Sequence, residues 1–408
     1  MNDTPRGNRL HIALFGRRNA GKSSLINALT NQQVAIVSEV AGTTTDPVYK
    51  SMEILPLGPV VMIDTAGMDD EGALGKLRVE KSLAVLSKTD LALLVIDAHA
   101  GSGALEQEVV QLCRDKDIPV IVVINKIDTC DSQRIDQQVI KQQLGTENIV
   151  LVSATDKVGI GDLKISLVKT APAHFDDQSI VGDLINPGDT AVLVTPIDLA
   201  APKGRLILPQ VQVIRDILDS DAMAYVVKER ELKQCIENLK KKPRIVITDS
   251  QAFLKADADT PPDVLLTSFS ILFARHKGNL KVLVEGAKTL LALKPGDRVL
   301  MSEGCTHHRV EDDIGRVKLP RWIRQYVGGE IHFEWSSGST MPTDLSSYKL
   351  VVHCGSCMLN RREMLARIMM AEEQGVAIVN YGVAIAALQG ILPRALSPFP
   401  LLAEMLEW

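Results

Sequence analysis

Two short clusters carry residue types suited to metal chemistry. One opens Cys305-Thr306-His307-His308 and the other runs His353-Cys354-Gly355-Ser356-Cys357, so half of the six cysteines and three of the eight histidines fall into them. Cys354 and Cys357 put two sulfurs on one turn, able to grip a single metal or cluster, and Cys305 adds a third thiolate. Three thiolates with a histidine suit structural zinc, while three thiolates with a replaceable fourth ligand equally suit a 4Fe-4S cluster. His307, His353, Asp312 and Asp313 compete for the fourth position, and residue types alone leave it open. His353, directly before Cys354, can instead be a hydrogen-bond donor outside the ligand set.

A second constellation is suited to phosphate. Gly16-Arg17-Arg18-Asn19-Ala20-Gly21-Lys22-Ser23, followed by Ser24, fits the phosphate-binding pattern G-x-x-x-x-G-K-[ST]. Its glycines let backbone N–H groups approach the phosphates, Lys22 reaches the outer phosphates and Ser23 can ligate magnesium. Asp64-Thr65-Ala66-Gly67 places Asp64 to hold magnesium through its shell and the Gly67 N–H to meet the terminal phosphate. In Asn125-Lys126-Ile127-Asp128 the last carboxylate can accept both N–H donors of a guanine edge, which adenine does not offer. The predicted nucleotide is therefore GTP or GDP, with Ser153-Ala154 offering a backbone N–H to the guanine carbonyl. Thr44, within Gly42-Thr43-Thr44-Thr45-Asp46, is the expected switch residue on magnesium, with Thr43 and Thr45 as rival candidates. Met68 follows Gly67 where many GTPases carry a water-orienting glutamine, so another group must assist hydrolysis. Lys22, Asn19, Thr44 and Gly67 are the residues expected at the reacting phosphate.

Apolar runs supply the elements that must position these groups. In residues 8–171 the runs His11–Phe15, Val60–Ile63, Leu91–Ile96, Val120–Ile124 and Ile149–Val152 read as strands alternating with amphipathic stretches, the pattern of a mostly parallel sheet wrapped by helices. The phosphate loop, Asp64–Gly67, Asn125–Asp128 and Ser153-Ala154 each follow one of these strands. Residues 171–187 turn polar and read as a linker. A middle segment, 180–262, has strands at Ala191–Thr195, Ala224–Val227 and Arg244–Thr248, helical patterns at Gln210–Leu218 and Glu229–Leu239, and no convergent site. Asp257-Ala258-Asp259-Thr260-Pro261-Pro262 punctuates its end. The last segment, 266–408, reads as strands at Lys281–Glu285, Arg298–Ser302, Glu330–Glu334, Lys349–His353 and Val376–Asn380, with a helix at Arg361–Gln374. Both cysteine clusters sit just beyond strand ends, in loops where ligands can converge without breaking a ladder.

Composition bounds the function class. At 408 residues, 46% hydrophobic and 23% charged, the chain can bury several cores. A net charge of -5 argues against a general nucleic-acid binder. The absence of an eighteen-residue apolar run argues against a membrane span, and a polar start argues against a signal peptide, so a cytoplasmic protein is expected. Six cysteines are too sparse here for a secreted disulfide framework. Cys113, Cys130 and Cys235 are isolated and read as small inert side chains.

Asn19 in the phosphate loop, together with Gly42-Thr43-Thr44-Thr45-Asp46, resembles the TrmE and Era-like GTPases. That resemblance implies a potassium ion at Asn19 supplying the charge an arginine finger would give, and slow, potassium-stimulated hydrolysis of GTP to GDP and phosphate. With Cys305-x-His307, then 45 residues, then His353-Cys354-x-x-Cys357 downstream, the whole chain resembles the HydF family of scaffold GTPases in iron-iron hydrogenase maturation. The resemblance implies an α/β chain of three domains: an N-terminal P-loop GTPase with a mostly parallel sheet at 8–171, a middle α/β dimerisation domain at 180–262, and a C-terminal α/β cluster-binding domain with a parallel sheet at 266–408. It implies a 4Fe-4S cluster on Cys305, Cys354 and Cys357 and a transient diiron precursor made by radical-SAM maturases. It further implies apo FeFe-hydrogenase as acceptor, self-association as a homodimer, and neither membrane nor nucleic acid as partner. The rival expectation is a TrmE/Era-like RNA or ribosome-assembly GTPase with a structural zinc module.

Overall fold

The computed structural model describes residues 6–30, 47–55, 57–65, 84–130, 136–172, 179–196, 206–304, 313–338 and 341–404. They form two units, 1–177 and 178–408. The first is built on a six-stranded sheet of β1 (Leu10–Phe15), β2 (Val48–Ile54), β3 (Gly58–Asp64), β4 (Leu91–Asp97), β5 (Val120–Asn125) and β6 (Ile149–Leu151), in the order β2-β3-β1-β4-β5-β6. All neighbours are parallel except the β2–β3 pair. Strand alternation divides β1 between two cores. Leu10, Ile12 and Leu14 pack with Leu25, Ile26 and Leu29 of the helix Lys22–Thr30 and Leu163 and Leu167 of the helix Ile160–Thr170. Ala13 and Phe15 face Val109, Val110 and Cys113 of the helix Ala104–Asp115, and Ile140 and Leu144 of the helix Gln137–Leu144. Burial of Cys113 in this layer accounts for it as core. The phosphate loop, Asp64, Asn125-Lys126 and Ser153-Ala154 follow the carboxyl ends of β1, β3, β5 and β6, as a doubly wound sheet requires.

The second unit holds two four-stranded sheets. One orders β7 (Thr190–Val194), β8 (Met223–Val227), β9 (Ile245–Thr248) and β10 (Leu265–Ser268) as β10-β9-β7-β8. The other orders β11 (Arg298–Glu303), β12 (His332–Ser337), β13 (Leu350–His353) and β14 (Ala377–Asn380) as β12-β11-β13-β14. Both are wholly parallel and share one topology, with the first strand between the second and the third. One hydrophobic core spans them, running from Ile180 to Phe399.

Three expectations are corrected here. Lys281–Glu285 is not a strand but lies in the helix Leu280–Leu291, whose buried Leu280, Leu283, Val284, Ala287 and Leu290 follow the helical period. Five residues are too few to expose that period. Gly286 lets this helix lie on β14, because a Cβ there would sit 2.0 Å from the Ile378 carbonyl oxygen. The stretch 257–262, read as a boundary, is the end of the helix Phe253–Asp259 and the turn into β10, which pairs with β9. The second half of the expected linker is packed: Ile180, Val181 and Ile185 are in the core, and Asp216 Oδ2 accepts the N–H groups of Ile180, Val181 and Gly182 at 3.0, 2.7 and 2.8 Å. Among the described residues no helix is long and apolar enough to cross a membrane.

Candidate functional site

The phosphate loop leaves β1 at Gly16 and enters the helix at Lys22. Gly16 has φ +144 and a Cβ there would lie 2.2 Å from the Val95 carbonyl oxygen; Gly21 has φ +92 and would place a Cβ 2.1 Å from Asn125 Nδ2. Only glycine fits either position. Lys22 is buried, and its Nζ donates to Gly16 O at 3.0 Å and Arg17 O at 2.8 Å, which holds the ammonium over the loop. Ser23 Oγ donates to Asp64 Oδ2 at 2.6 Å, so two oxygens from separate motifs meet where magnesium is expected. Ala20 is buried, whereas Asn19, at φ +59, and Ser24 are exposed. Asn125 joins the phosphate loop to the base loop. Its Nδ2 donates to Ala20 O at 3.0 Å, and its Oδ1 accepts the Ala154 N–H at 3.1 Å. The Ser153 N–H donates to Val158 O at 3.0 Å, so both N–H groups assigned to the guanine carbonyl are engaged inside the protein. Lys126, at φ +68, pairs with Asp97 Oδ2 at 2.7 Å, and Asp128 is exposed. Thr44, Gly67 and Met68 lie outside the described residues.

Sequence reasoning missed Glu106. It is 1% exposed, receives Arg17 Nε at 2.8 Å and the Gly103 N–H at 2.8 Å, and thereby orients the phosphate loop's arginine. An acid one turn before Val109 and Val110, on the buried stripe of its helix, was the available signal.

The cysteine loop leaves β13 at His353, beside the end of β11, with Ser302 paired to His353. The Cys354 N–H donates to Ser302 O at 2.9 Å, and the Gly304 N–H points at Cys354 Sγ at 3.1 Å. Burial pushes the Cys354 thiol up, against the pull of the Gly304 and Ser356 N–H groups. Ser356 holds φ +55, a left-handed conformation costly for a residue with a side chain. It is fixed there by Lys277, whose Nζ donates to the carbonyls of Ser356, Cys357 and Leu359 at 3.3, 3.1 and 2.9 Å.

His353 is fully buried. Its Nδ1 is 2.9 Å from Cys354 O and its Nε2 is 3.0 Å from Arg367 Nη1. A guanidinium only donates, so Nε2 accepts and Nδ1 carries the proton. Burial, and then Arg367, push its pKa down to about 3, keeping the ring neutral. Both ring nitrogens of His353 are thus engaged inside the protein. Asp313 Oδ1 accepts the Arg316 N–H at 2.9 Å at the start of a five-residue π-helical turn. Cys305, His307, His308 and Asp312 lie outside the described residues, and among the described residues no three metal-binding side chains converge.

Around Cys354 stand further groups that sequence reasoning missed. Glu303 Oε1, Arg316 Nε and Tyr381 Oη are buried without a hydrogen-bond partner. Glu303 Oε1 and Tyr381 Oη meet at Gly315, where a Cβ would lie 2.8 Å from the first and 2.0 Å from the second. Burial, followed by the charges of Cys354, Glu303 and Asp313, pushes the Tyr381 phenol well up. An orphaned buried polar atom costs about 1–3 kcal/mol, and the Tyr381 hydroxyl, unlike Arg316 and Glu303, which lie 3.8 Å apart as an ion pair, has no opposite charge to offset it.

Comparison with known proteins assigns each segment. Residues 180–278 match the family model described as the hydrogen maturase F dimerization domain, and 281–398 match the hydrogen maturase F tetramerization domain. The chain belongs to the hydrogen maturase F family. Residues 11–126 match the model of 50S ribosome-binding GTPases, so the first unit is a GTPase domain. The segment expected to bind a cluster is thus matched by a model described by its self-association. The tRNA modification GTPase MnmE of Desulforamulus reducens is 36% identical over 156 residues, 38% of this chain and 33% of that protein. GTPase Der of Clostridium perfringens is 33% identical over 171 residues, 41% of this chain and 37% of its own. The chain spans about a third of the length of these curated relatives. The structure of Aquifex aeolicus Era bound to GDP and aluminium fluoride covers 62% of this chain and 99% of its own, at 22% identity and a TM-score of 0.36.

Proposed function

We propose that this protein hydrolyses GTP and serves as a scaffold for metal cargo. It binds a 4Fe-4S cluster through Cys305, Cys354 and Cys357, accepts a diiron precursor from radical-SAM maturases and delivers it to apo FeFe-hydrogenase. Family membership supports the reading. The observation that carries it is the Gly304 N–H on Cys354 Sγ at 3.1 Å, because Gly304 is the sequence neighbour of Cys305. The donor set fits the cluster: thiolates are its protein ligands, and a metal deprotonates a thiol that burial otherwise keeps protonated. Such a cluster would supply an iron site open to exchange, and the orphaned Tyr381 hydroxyl offers a hydrogen bond to whatever occupies it.

In the GTPase domain, Lys22 exchanges its two carbonyl partners for the outer phosphates, Ser23 and Asp64 hold magnesium, and Asp128 selects guanine. Ala154 turns its N–H from Asn125 to the guanine carbonyl. Asn19 holds potassium, and Thr44 and Gly67 close on the terminal phosphate. The protein self-associates, and β8 offers one surface for this: an edge strand with Met223, Tyr225 and Val226 exposed. Loss of the terminal phosphate releases the switch and alters docking to partners in the cytoplasm. Anaerobic reconstitution tests the scaffold: about four iron and four sulfide per chain are expected, whereas stoichiometric zinc without sulfide favours the RNA-assembly alternative.

A further inference from the structure

The helix Phe269–Lys277 ends beneath the cysteine loop with a lysine that is 2% exposed. Hydration is lost to an ammonium buried this deeply, so it needs acceptors and a counter-charge. Its acceptors are the Ser356, Cys357 and Leu359 carbonyls. Its position in the last turn of a helix adds a favourable dipole. No carboxylate pairs with it among the described residues. The groups that can become negative beside it are the thiols of Cys354 and Cys357, in the loop whose carbonyls its Nζ holds. A neutral glutamine could satisfy carbonyl oxygens; a buried charge with no carboxylate calls for an anion nearby.

We propose that Lys277 is the electrostatic counter-group of the cysteine loop, offsetting the charge that Cys354 and Cys357 carry when they hold a metal cluster, and so raising that cluster's reduction potential. The inference rests on the cluster reading above and names the residue that positions and tunes the site. Net charge near a cluster is one of the levers on its potential. Lys277 acts through the loop backbone and through space, and it is a positioning residue rather than a ligand.

The experiment uses the full chain, reconstituted without oxygen, as native protein and as Lys277→Met and Lys277→Arg. Iron and sulfide per chain report loading, and a redox titration followed by electron paramagnetic resonance reports the midpoint potential. A loaded methionine variant is expected to show a more negative potential, with the arginine variant close to native. Full loading with an unchanged potential in the methionine variant overturns the proposal. If that variant fails to load, Lys277→Gln decides. A loaded glutamine variant at the native potential overturns the proposal, while a lowered potential supports it, as does loading by the arginine variant alone. Loss of loading in all three overturns it in favour of a packing role. A native chain without iron and sulfide defeats the cluster reading itself, a result distinct from each of these.

Discussion

Replacing Arg367 by methionine tests the polar frame behind the cysteine loop. The guanidinium is 4% exposed and donates to Gly338 O at 2.9 Å, His353 Nε2 at 3.0 Å, Glu363 Oε1 at 3.2 Å and Ser302 Oγ at 3.5 Å. Methionine fills comparable space but takes the Arg367 cation away from Glu363, which is 8% exposed and 3.2 Å from it. Breaking a buried pair from one side costs about 3–5 kcal/mol. Glu363 lies in the first turn of its helix, where the dipole favours a negative charge, so the lower end, ~3 kcal/mol, applies. All three tryptophans, Trp322, Trp335 and Trp408, belong to the second unit, so tryptophan fluorescence during urea unfolding reads that unit alone. At ~3 kcal/mol per molar urea the midpoint should fall by about 1 M. Adding Glu363→Gln removes the charge that faced Arg367 and should recover about 1–2 kcal/mol. A single variant within ~0.5 kcal/mol of native, with no recovery in the double variant, would refute the assignment of Arg367 as the cation of this network.

Further outcomes follow from the nucleotide site. Asp128→Asn should lower the preference for GTP over other nucleotides by at least ~10-fold, since a charged acceptor bond contributes about 1.5–3 kcal/mol; an undiminished preference in competition binding removes the guanine assignment. GTP hydrolysis should run faster in potassium than in sodium, and Asn19→Ala should erase the difference; equal rates in the native chain defeat the potassium site. Gly16→Ala should reduce nucleotide affinity more than ~10-fold, because its Cβ meets the Val95 oxygen at 2.2 Å, yet leave the tryptophan-monitored midpoint unchanged. An affinity within twofold of native would show that the loop shifts freely.

The parts of this site visible in the sequence are those whose chemistry is local. The phosphate loop is legible because its glycines and Lys22 answer to backbone geometry within eight residues. Strands β1, β3, β4 and β5 are legible because both faces are buried and each reads as an apolar run. Edge strand β2 escaped notice: Val48 to Ile54 is mostly exposed or half-buried and mixes polar residues with apolar ones. Lys277 and Arg367 were hidden for a different reason. Their partners include backbone carbonyls, which leave no trace in residue types, and Lys277 is 79 to 82 residues from the carbonyls of Ser356, Cys357 and Leu359. His353 is a candidate ligand by its place beside Cys354, while the guanidinium on its Nε2 comes from a residue 14 positions away that the motif does not include.

The topology explains why residues so far apart in sequence can share one site. Because β11 and β13 are adjacent and parallel, with Ser302 opposite His353, both chains leave the sheet at the same edge. Their following loops therefore start one strand spacing apart, about 4.8 Å. An antiparallel pair would send them to opposite edges. This is also the point where the strand order reverses, so neighbouring connections diverge to opposite faces and leave a crevice. Sheet β7–β10 has the same order, but Thr195 and Asp249, not thiols, follow its corresponding strands β7 and β9. The fold supplies the crevice, and the residues placed at its rim decide the chemistry. The connection from β11 to β13 passes through the outer strand β12, so its length does not set the separation of the two loop origins. The 45 residues between His307 and His353 can accordingly grow or shrink along β12 and its turns without moving the thiol of Cys354 from the end of β11.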